Sequence, residues 1–530
     1  MPLALILIAL AAAVLASTAI IGDPTVAGGL LLVWPGLAMG LAILLGGRWA
    51  LAGFDTLTAP LKGWRGRALA IVVAVTFVAL LVVAGVVLDG FPNSGDEYAY
   101  VLQAQTYALG RLWAPAPPFP EFFALIRFVA KNGMWISSYQ PGWSLLMAPA
   151  ALAGLPLWLV DPLVGAGMVW AFFVLARDYL ELRSAWIATL ALVVSAFFLF
   201  NFGSFFGHGA AALAGVLFAL CGTRYLREGG VRMALLAGAF LGYLGFIRAF
   251  NGAVFAAPFV VALVLTPQRR SGLLWFILGG APFLAALLAY NWAVTGHPLL
   301  MVQQWINVQG EPVGLPSAAS MGETLRRFIR LYLWTSPVFP LGWLAAFGWL
   351  AWRRRLDFVD WIFPATVIGF AFYAGSGSNQ YGPRYYFEGW PFAVLTVARA
   401  LEPLLVEGPR GRAAPWLAAA TLAHFVFQLA FLPPRIELEH RVVSEREDIF
   451  HKVAAAGLRN AVVIVASSTG QYRRMLDADL VRNGLKVEDA SVVYALDPTL
   501  TDPKLRALFR HRQFLVYRDG ALTPAPAAAQ

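Results

Sequence analysis

From residue 3 to residue 432 the chain offers one run after another of mostly apolar residues, each long enough to cross a bilayer as a helix of about 20 residues. The bilayer core supplies no water to unpaired amides, so each run must close its own backbone hydrogen bonds as a helix. On this criterion there are about 13 spans. They run roughly 3 to 21, 28 to 46, 68 to 88, 157 to 176, 184 to 200, 209 to 226, 233 to 248, 252 to 266, 273 to 290, 334 to 352, 360 to 375, 388 to 401 and 414 to 432. Only 13% of the residues are charged, against about 25% in soluble chains. The main solvent is therefore lipid, and the fold class expected is an all-α polytopic membrane domain.

The net charge of +10 does not point to nucleic acid, because the basic residues form no single stripe or patch. They sit in short loops: Arg48, Lys62, Arg65 and Arg67, then Arg177 with Arg183, Arg224 with Arg227 and Arg232, Arg269 with Arg270, and Arg353 to Arg355. The positive-inside bias makes these loops cytoplasmic. A multi-pass chain of the cell (inner) membrane follows, with a cytoplasmic N-terminus and a periplasmic or extracellular C-terminus. Leu3 to Ile21 lacks a basic start and reads as a retained helix rather than a cleaved signal. The single cysteine, Cys221, allows no intrachain disulfide. The outer face receives a long loop (89–156), a second (291–333), the turns Asn201 to His208 and Gly375 to Glu388, and the C-terminal tail. Ser144 to Ala153 is apolar but too short to span, and reads as an interfacial helix.

After Pro433-Pro434 the composition changes. Ala461 to Ala466, Ala490 to Leu496 and Gln513 to Arg518 read as strands, Met475 to Asn483 and Pro503 to Arg512 as helices. The expected organisation is an N-terminal hairpin and basic loop (1–67), a transmembrane catalytic domain (68–432), a small outer α/β domain (433–520) and a disordered Ala/Pro-rich tail (521–530). That outer domain is expected to pack over the outer loops and help admit an acceptor. No G-x-x-x-x-G-K-[ST] loop supports an ATP-driven pump.

The polar residues gather on one face. Asn93-Ser94-Gly95-Asp96-Glu97-Tyr98-Ala99-Tyr100 follows where the third span leaves the membrane. Ser94-x-x-Glu97 fits a capping box, and Asp96 would then favour the positive end of the helix dipole. The catalytic reading coexists with this one, because neighbouring helical residues point about 100° apart and only one carboxylate need face a cavity. Arg248 and Asn251 interrupt two apolar spans. An intramembrane guanidinium marks a functional site unless it snorkels to the interface. Asn201, Ser204 and His208 lie on the same face. The last outer turn brings Tyr381, Gly382, Pro383, Arg384, Tyr385 and Glu388, with Arg384 either binding phosphate or paired with Glu388 at i,i+4. A carboxylate can take the proton of an incoming hydroxyl, and arginines can stabilise a departing lipid phosphate.

At these residues the chain resembles the GT-C superfamily of membrane glycosyltransferases, near the bacterial relatives of protein O-mannosyltransferases and of the lipid A aminoarabinose transferase. The resemblance rests on Asp96-Glu97, Ser138-Tyr139-Gln140-Pro141-Gly142-Trp143, the Asn201 to His208 turn and Gly382-Pro383-Arg384-Tyr385, and covers roughly residues 68–432. It implies transfer of a hexosyl or pentosyl group from a polyprenyl-phosphate donor to a glycan, lipid or protein hydroxyl, usually with inversion. It places the catalytic carboxylate on Asp96, or on Glu97, and the donor phosphate near Arg248, with Arg384 and His208. The expected pocket adds Tyr98, Tyr139, Gln140, Asn201, Asn251, Tyr381 and Tyr385. The hairpin 3–46 is an addition to the superfamily's simplest pattern. The first loop lacks a second acidic or His cluster, so no metal and no cofactor is expected.

A polyprenyl-linked sugar transporter or flippase is the rival from another class, but transporters place binding groups near the midplane of repeated halves. A polysaccharide ligase is a closer rival, since it too uses lipid-linked sugar outside the cytoplasm. A third reading makes the C-terminal domain the functional module, where only the turn Ser467-Ser468-Thr469-Gly470 stands out, and that turn reads as structural.

Overall fold

The computed structural model describes residues 50–306, 314–373, 380–406, 414–466 and 477–527, with residues 40 and 43. The expected hairpin 3–46, Gly375 to Asn379 and Ser467 to Gly470 lie outside these, apart from residues 40 and 43.

Among the described residues, five helices are long and apolar enough to cross a membrane, six if one bent pair counts as a single span. The first, α1 (Gly66–Val82), continues through a π turn to Val87. Ile71, Val75, Val78, Val82 and Val86 are exposed along it at spacings of three and four, a lipid-facing stripe, while Leu80, Val83, Ala84 and Val87 are buried. After α2 (Gly95–Ala108) and α3 (Gly142–Leu152), the latter where a short interfacial helix was expected, come α4 (Val160–Arg177), α5 (Leu182–Val193), α6 (Ala196–Phe202), α7 (His208–Glu228), α8 (Val231–Ile247), α9 (Ala249–Leu265) and α10 (Gly272–Thr295).

The expected span 184–200 is instead the bent pair α5 and α6, at 63°. Its break is fixed at Ser195, whose hydroxyl accepts from Phe198 N to start a new helix. Several other expected spans are, among the described residues, apolar helices of 14 to 17 residues, among them α8, α9, α12 (Phe339–Trp352) and α13 (Phe358–Ala371). Helices α8 and α10 approach closely because Gly238 and Gly242 line the contact. A Cβ on Gly238 would collide with the Phe276 carbonyl, the small-residue packing common between membrane helices. The loop expected over 291–333 contains α11 (Ala318–Trp334), and α14 (Trp390–Val406) follows the turn expected from Gly375 to Glu388.

No break in the helix marks the composition change at Pro433-Pro434. A single helix, α15 (Ala414–Ala455, 42 residues), runs through both prolines. Each proline removes one amide donor, yet Phe427, Phe431, Glu439, Val443, Ile449 and Val453 keep a buried side running past them, and packing outweighs the lost bonds. Beyond α15, β4 (Ala461–Val465) lies between β5 (Val492–Leu496) and β6 (Gln513–Arg518), parallel to both. All five β4 residues are buried, as in a strand covered on both faces. The tail expected to be disordered from Ala521 forms β7 (Ala521–Pro524), antiparallel to β6, because the edge of β6 offers it a ladder of backbone partners. The short helix α16 (Pro503–Leu508) stops earlier than expected, and Asp479 and Leu480 form a turn where a helix to Asn483 was expected.

In the long outer loop, β1 (Ala114–Pro115), β2 (Phe128–Lys131) and β3 (Met134–Ser137) form a sheet in the order β1-β3-β2. The β2–β3 turn is Asn132-Gly133, both at positive φ (53° and 75°), the backbone that a two-residue hairpin favours. Phe123, Phe128 and Trp135 of this loop and Ala99 and Leu102 of α2 share one apolar core with Ile449 of α15 and with β4 to β6. The long loop and the C-terminal sheet therefore fold as one layer, the one expected to face outward.

Candidate active site

Where α1 ends, Ser94 caps α2 by accepting from Glu97 N at 3.3 Å. The next two carboxylates then point apart, as successive helical residues must. Glu97 turns inward and is fully buried: its Oε1 accepts from Phe205 N, and its Oε2 from Ser94 Oγ and Gln380 Nε2, each at 3.1 Å. The capping box is thus half formed, since the Glu97 carboxylate goes to the Asn201 to His208 turn rather than back to the Ser94 amide. Burial pushes the Glu97 carboxyl up to about 7, although the Phe205 amide and Arg384 pull the other way.

Asp96 turns outward into a cavity of about 160 Å³. Its Oδ2 meets Arg384 Nη2 at 3.1 Å and its Oδ1 meets Arg127 Nε at 3.4 Å, with the side chain 21% exposed. Burial pushes this carboxyl up, but the Arg384 and Arg127 guanidiniums outweigh it and hold it below the usual carboxylate range. Arg384 reaches the cavity because Tyr381 and Gly382 turn the chain at positive φ (58° and 94°), after which Arg384–Tyr386 forms one 3-10 turn. Its guanidinium lies 3.8 Å over the Phe206 ring, and its Nε and Nη1 are buried with no acceptor among the described residues.

The opposite wall is built at the break between α8 and α9. Arg248 sits there in extended backbone (φ −148°, ψ 90°), which frees its side chain from both helices. Its Nε lies 3.1 Å from Glu388 Oε1, which also meets His208 Nδ1 at 2.9 Å. The Gln140 amide oxygen accepts from Ala249 N at 3.2 Å and so fixes the break, while Asn251 Oδ1 accepts from Arg248 Nε at 3.4 Å. Tyr139 stacks on Tyr100 with ring centres 4.1 Å apart, and Tyr385 stacks on Phe370 at 4.7 Å, giving the cavity aromatic faces.

Of the residues singled out in the sequence, Asp96, Tyr139, Gln140, His208, Arg248, Asn251, Arg384 and Tyr385 line this cavity. Glu97, Tyr98, Asn201 and Tyr381 do not. Glu97 braces α2 from behind. The Tyr98 hydroxyl donates to Asn483 O at 2.8 Å in the C-terminal layer. Asn201 Nδ2 donates to Tyr381 O at 2.9 Å, and the Tyr381 hydroxyl accepts from Asn93 Nδ2 at 3.3 Å, so this trio supports the turn that carries Arg384. The expected i,i+4 pair of Arg384 with Glu388 is replaced by Arg384 with Asp96 and Glu388 with Arg248. Sequence reasoning missed Arg127, Tyr100 and Glu388 as members of the site. Arg127 carried one signal, being a basic residue on a loop assigned to the outer face, against the positive-inside bias. Among the described residues, no group of three or more His, Cys, Asp or Glu is placed to hold a metal ion.

No model of a known protein family matches the chain. No curated protein matches it in sequence. Its fold is shared with ArnT from Cupriavidus metallidurans, solved with undecaprenyl phosphate, at a TM-score of 0.53 and 15% identity over 85% of this chain and 97% of that one. The apo form of the same protein overlaps at 0.50, with 16% identity over 86% and 98%. An oligosaccharyltransferase of Archaeoglobus fulgidus in the apo form overlaps more weakly, at 0.43 and 12% identity over 79% and 64%. ArnT is the lipid A aminoarabinose transferase, a GT-C protein. The chain therefore has the GT-C fold.

Proposed function

We propose that this protein is a membrane glycosyltransferase that moves a sugar from a polyprenyl-phosphate donor to a hydroxyl acceptor on the non-cytoplasmic face. Asp96 is the general base. In a single displacement with inversion, the acceptor oxygen bonds to the anomeric carbon as the carbon–oxygen bond to phosphate breaks. The hydroxyl proton passes to Asp96, and the electron pair leaves with the lipid phosphate.

The observation that carries this reading is Arg384, which holds Asp96 with one nitrogen while its other two, Nε and Nη1, are buried with no acceptor among the described residues. A buried donor without an acceptor is costly, and phosphate oxygens fit a guanidinium fork. Three arginines (Arg127, Arg248, Arg384) face two carboxylates (Asp96, Glu388) here, which leaves a surplus positive charge for an anion. Arg248 and Arg384 take the charge that develops on the leaving phosphate, and the aromatic faces of Tyr139 and Tyr385 suit a sugar ring. That ArnT was solved with undecaprenyl phosphate supports a lipid-phosphate donor for a chain of the same fold.

The test is transfer from a panel of labelled polyprenyl-monophosphate sugars to membrane acceptors by the purified chain in nanodiscs. Transfer from at least one monophosphate donor is expected. Use of a pyrophosphate-linked oligosaccharide alone would instead make it a polysaccharide ligase, and movement of donor across the bilayer without transfer would make it a flippase.

A further inference from the structure

The outer layer grips the segment that carries Asp96 from both sides. Asp479 Oδ1 accepts from Gly95 N at 2.9 Å, a contact across 384 residues of sequence. Its Oδ2 pairs with Arg446 Nη1 of α15 at 3.2 Å, and the same Arg446 nitrogen donates to Asn93 O. On the far side of Asp96, Tyr98 hydrogen-bonds Asn483 O, and the Arg482 guanidinium covers the rings of Phe91 at 3.9 Å and Tyr98 at 5.2 Å. Asp479 is 5% exposed, and a side chain on Gly95 would collide with its carboxylate.

The first N–H groups of a helix have no partner within it. Ser94 supplies one for α2, and Asp479 supplies another, with a negative charge at the positive end of the helix. The orientation of this first turn decides the site. Rotation by one residue, about 100°, would turn Asp96 away from Arg384.

We infer that Asp479 is a positioning residue: by capping α2 at Gly95 and anchoring it to Arg446, it holds Asp96 in line with Arg384 and makes the C-terminal sheet part of the active-site assembly. This rests on the reading of Asp96 as the base. Asp479 touches no reacting atom. Its loss lowers turnover without weakening donor capture, since Arg248 and Arg384 remain in place.

The experiment compares full-length wild type, Asp479→Ala and Asp479→Asn in nanodiscs by two readouts: hydrogen exchange across residues 91–108, and kcat and KM for transfer. In Asp479→Ala, exchange at residues 95–98 accelerates and kcat falls about 10- to 100-fold, with KM for donor little changed. Asp479→Asn keeps an acceptor for the Gly95 amide and recovers most of both. Unchanged exchange in Asp479→Ala overturns the inference, as does loosened exchange with wild-type kcat. Should Asp479→Ala not fold, Arg446→Gln removes the anchor instead and is judged by the same two readouts. If wild type transfers no sugar, the glycosyltransferase reading fails, while hydrogen exchange still decides whether Asp479 holds α2.

Discussion

Asp96 and Arg384 meet at 3.1 Å, Oδ2 against Nη2, although 288 residues of chain separate them. The pair joins the end of the first described span to the last outer turn. It gives each partner a second capacity: the half-buried carboxylate is held below the usual carboxylate range, and the guanidinium keeps Nε and Nη1 without an acceptor among the described residues.

That division of labour predicts that lysine cannot replace Arg384. Lysine keeps the charge beside Asp96 but offers no planar fork. Arg384→Lys is expected to lose about 10²- to 10³-fold in kcat, the usual cost of removing one donor to a developing oxyanion. Steady-state transfer kinetics measure this, and a lysine variant with wild-type turnover would move the phosphate site elsewhere.

Arg127 is tied to Asp96 through charge, so its removal reads out as pH dependence. Transfer needs Asp96 ionised and is lost as pH falls through its pKa, which in the wild type lies below the usual carboxylate range. In Arg127→Gln that pKa rises, and the acid limb of kcat/KM moves to higher pH. An unmoved limb would mean that Asp96 is not the group that titrates.

Glu97 has the opposite sign and a different role. Its carboxyl is pushed up to about 7, from the 4.5 of a free Glu. Its contribution to stability is therefore fully present below about pH 4.5 and lost as pH rises through about 7. Glu97→Gln is expected to flatten the fall in melting temperature across this window and to keep most of the transfer activity. Loss of transfer comparable to that of an Asp96 variant would show that the two carboxylates have been assigned the wrong way round.

Much of this site was legible because membrane chemistry makes polar residues conspicuous. Arg248 stood out against two apolar spans, and the Asp96-Glu97 pair stood out at a span exit. The 100° between adjacent helical residues anticipated that only one of the pair would face the cavity, but not which one. That depended on Phe205 and Gln380, more than a hundred residues distant, taking up Glu97. The pairing of Arg384 with Glu388 was the natural local guess, and it failed because Arg384–Tyr386 is a 3-10 turn that aims the guanidinium at Asp96. Arg127 was missed because nothing local ties it to Asp96, 31 residues away; the pairing depends on a hairpin whose Asn132-Gly133 turn places β2 directly after Arg127. At Pro433-Pro434 the helix does not break, because packing along α15 overrides the local cost of two prolines.

The most direct test of the account is Asp96→Asn, assayed at once for donor binding and for sugar transfer in nanodiscs. Asparagine keeps the size of the side chain but cannot accept the acceptor's proton. The account predicts that polyprenyl-phosphate donor still binds and that transfer is lost. Transfer at the wild-type rate would contradict it, and would leave the carboxylate with nothing more than a place at the start of a helix.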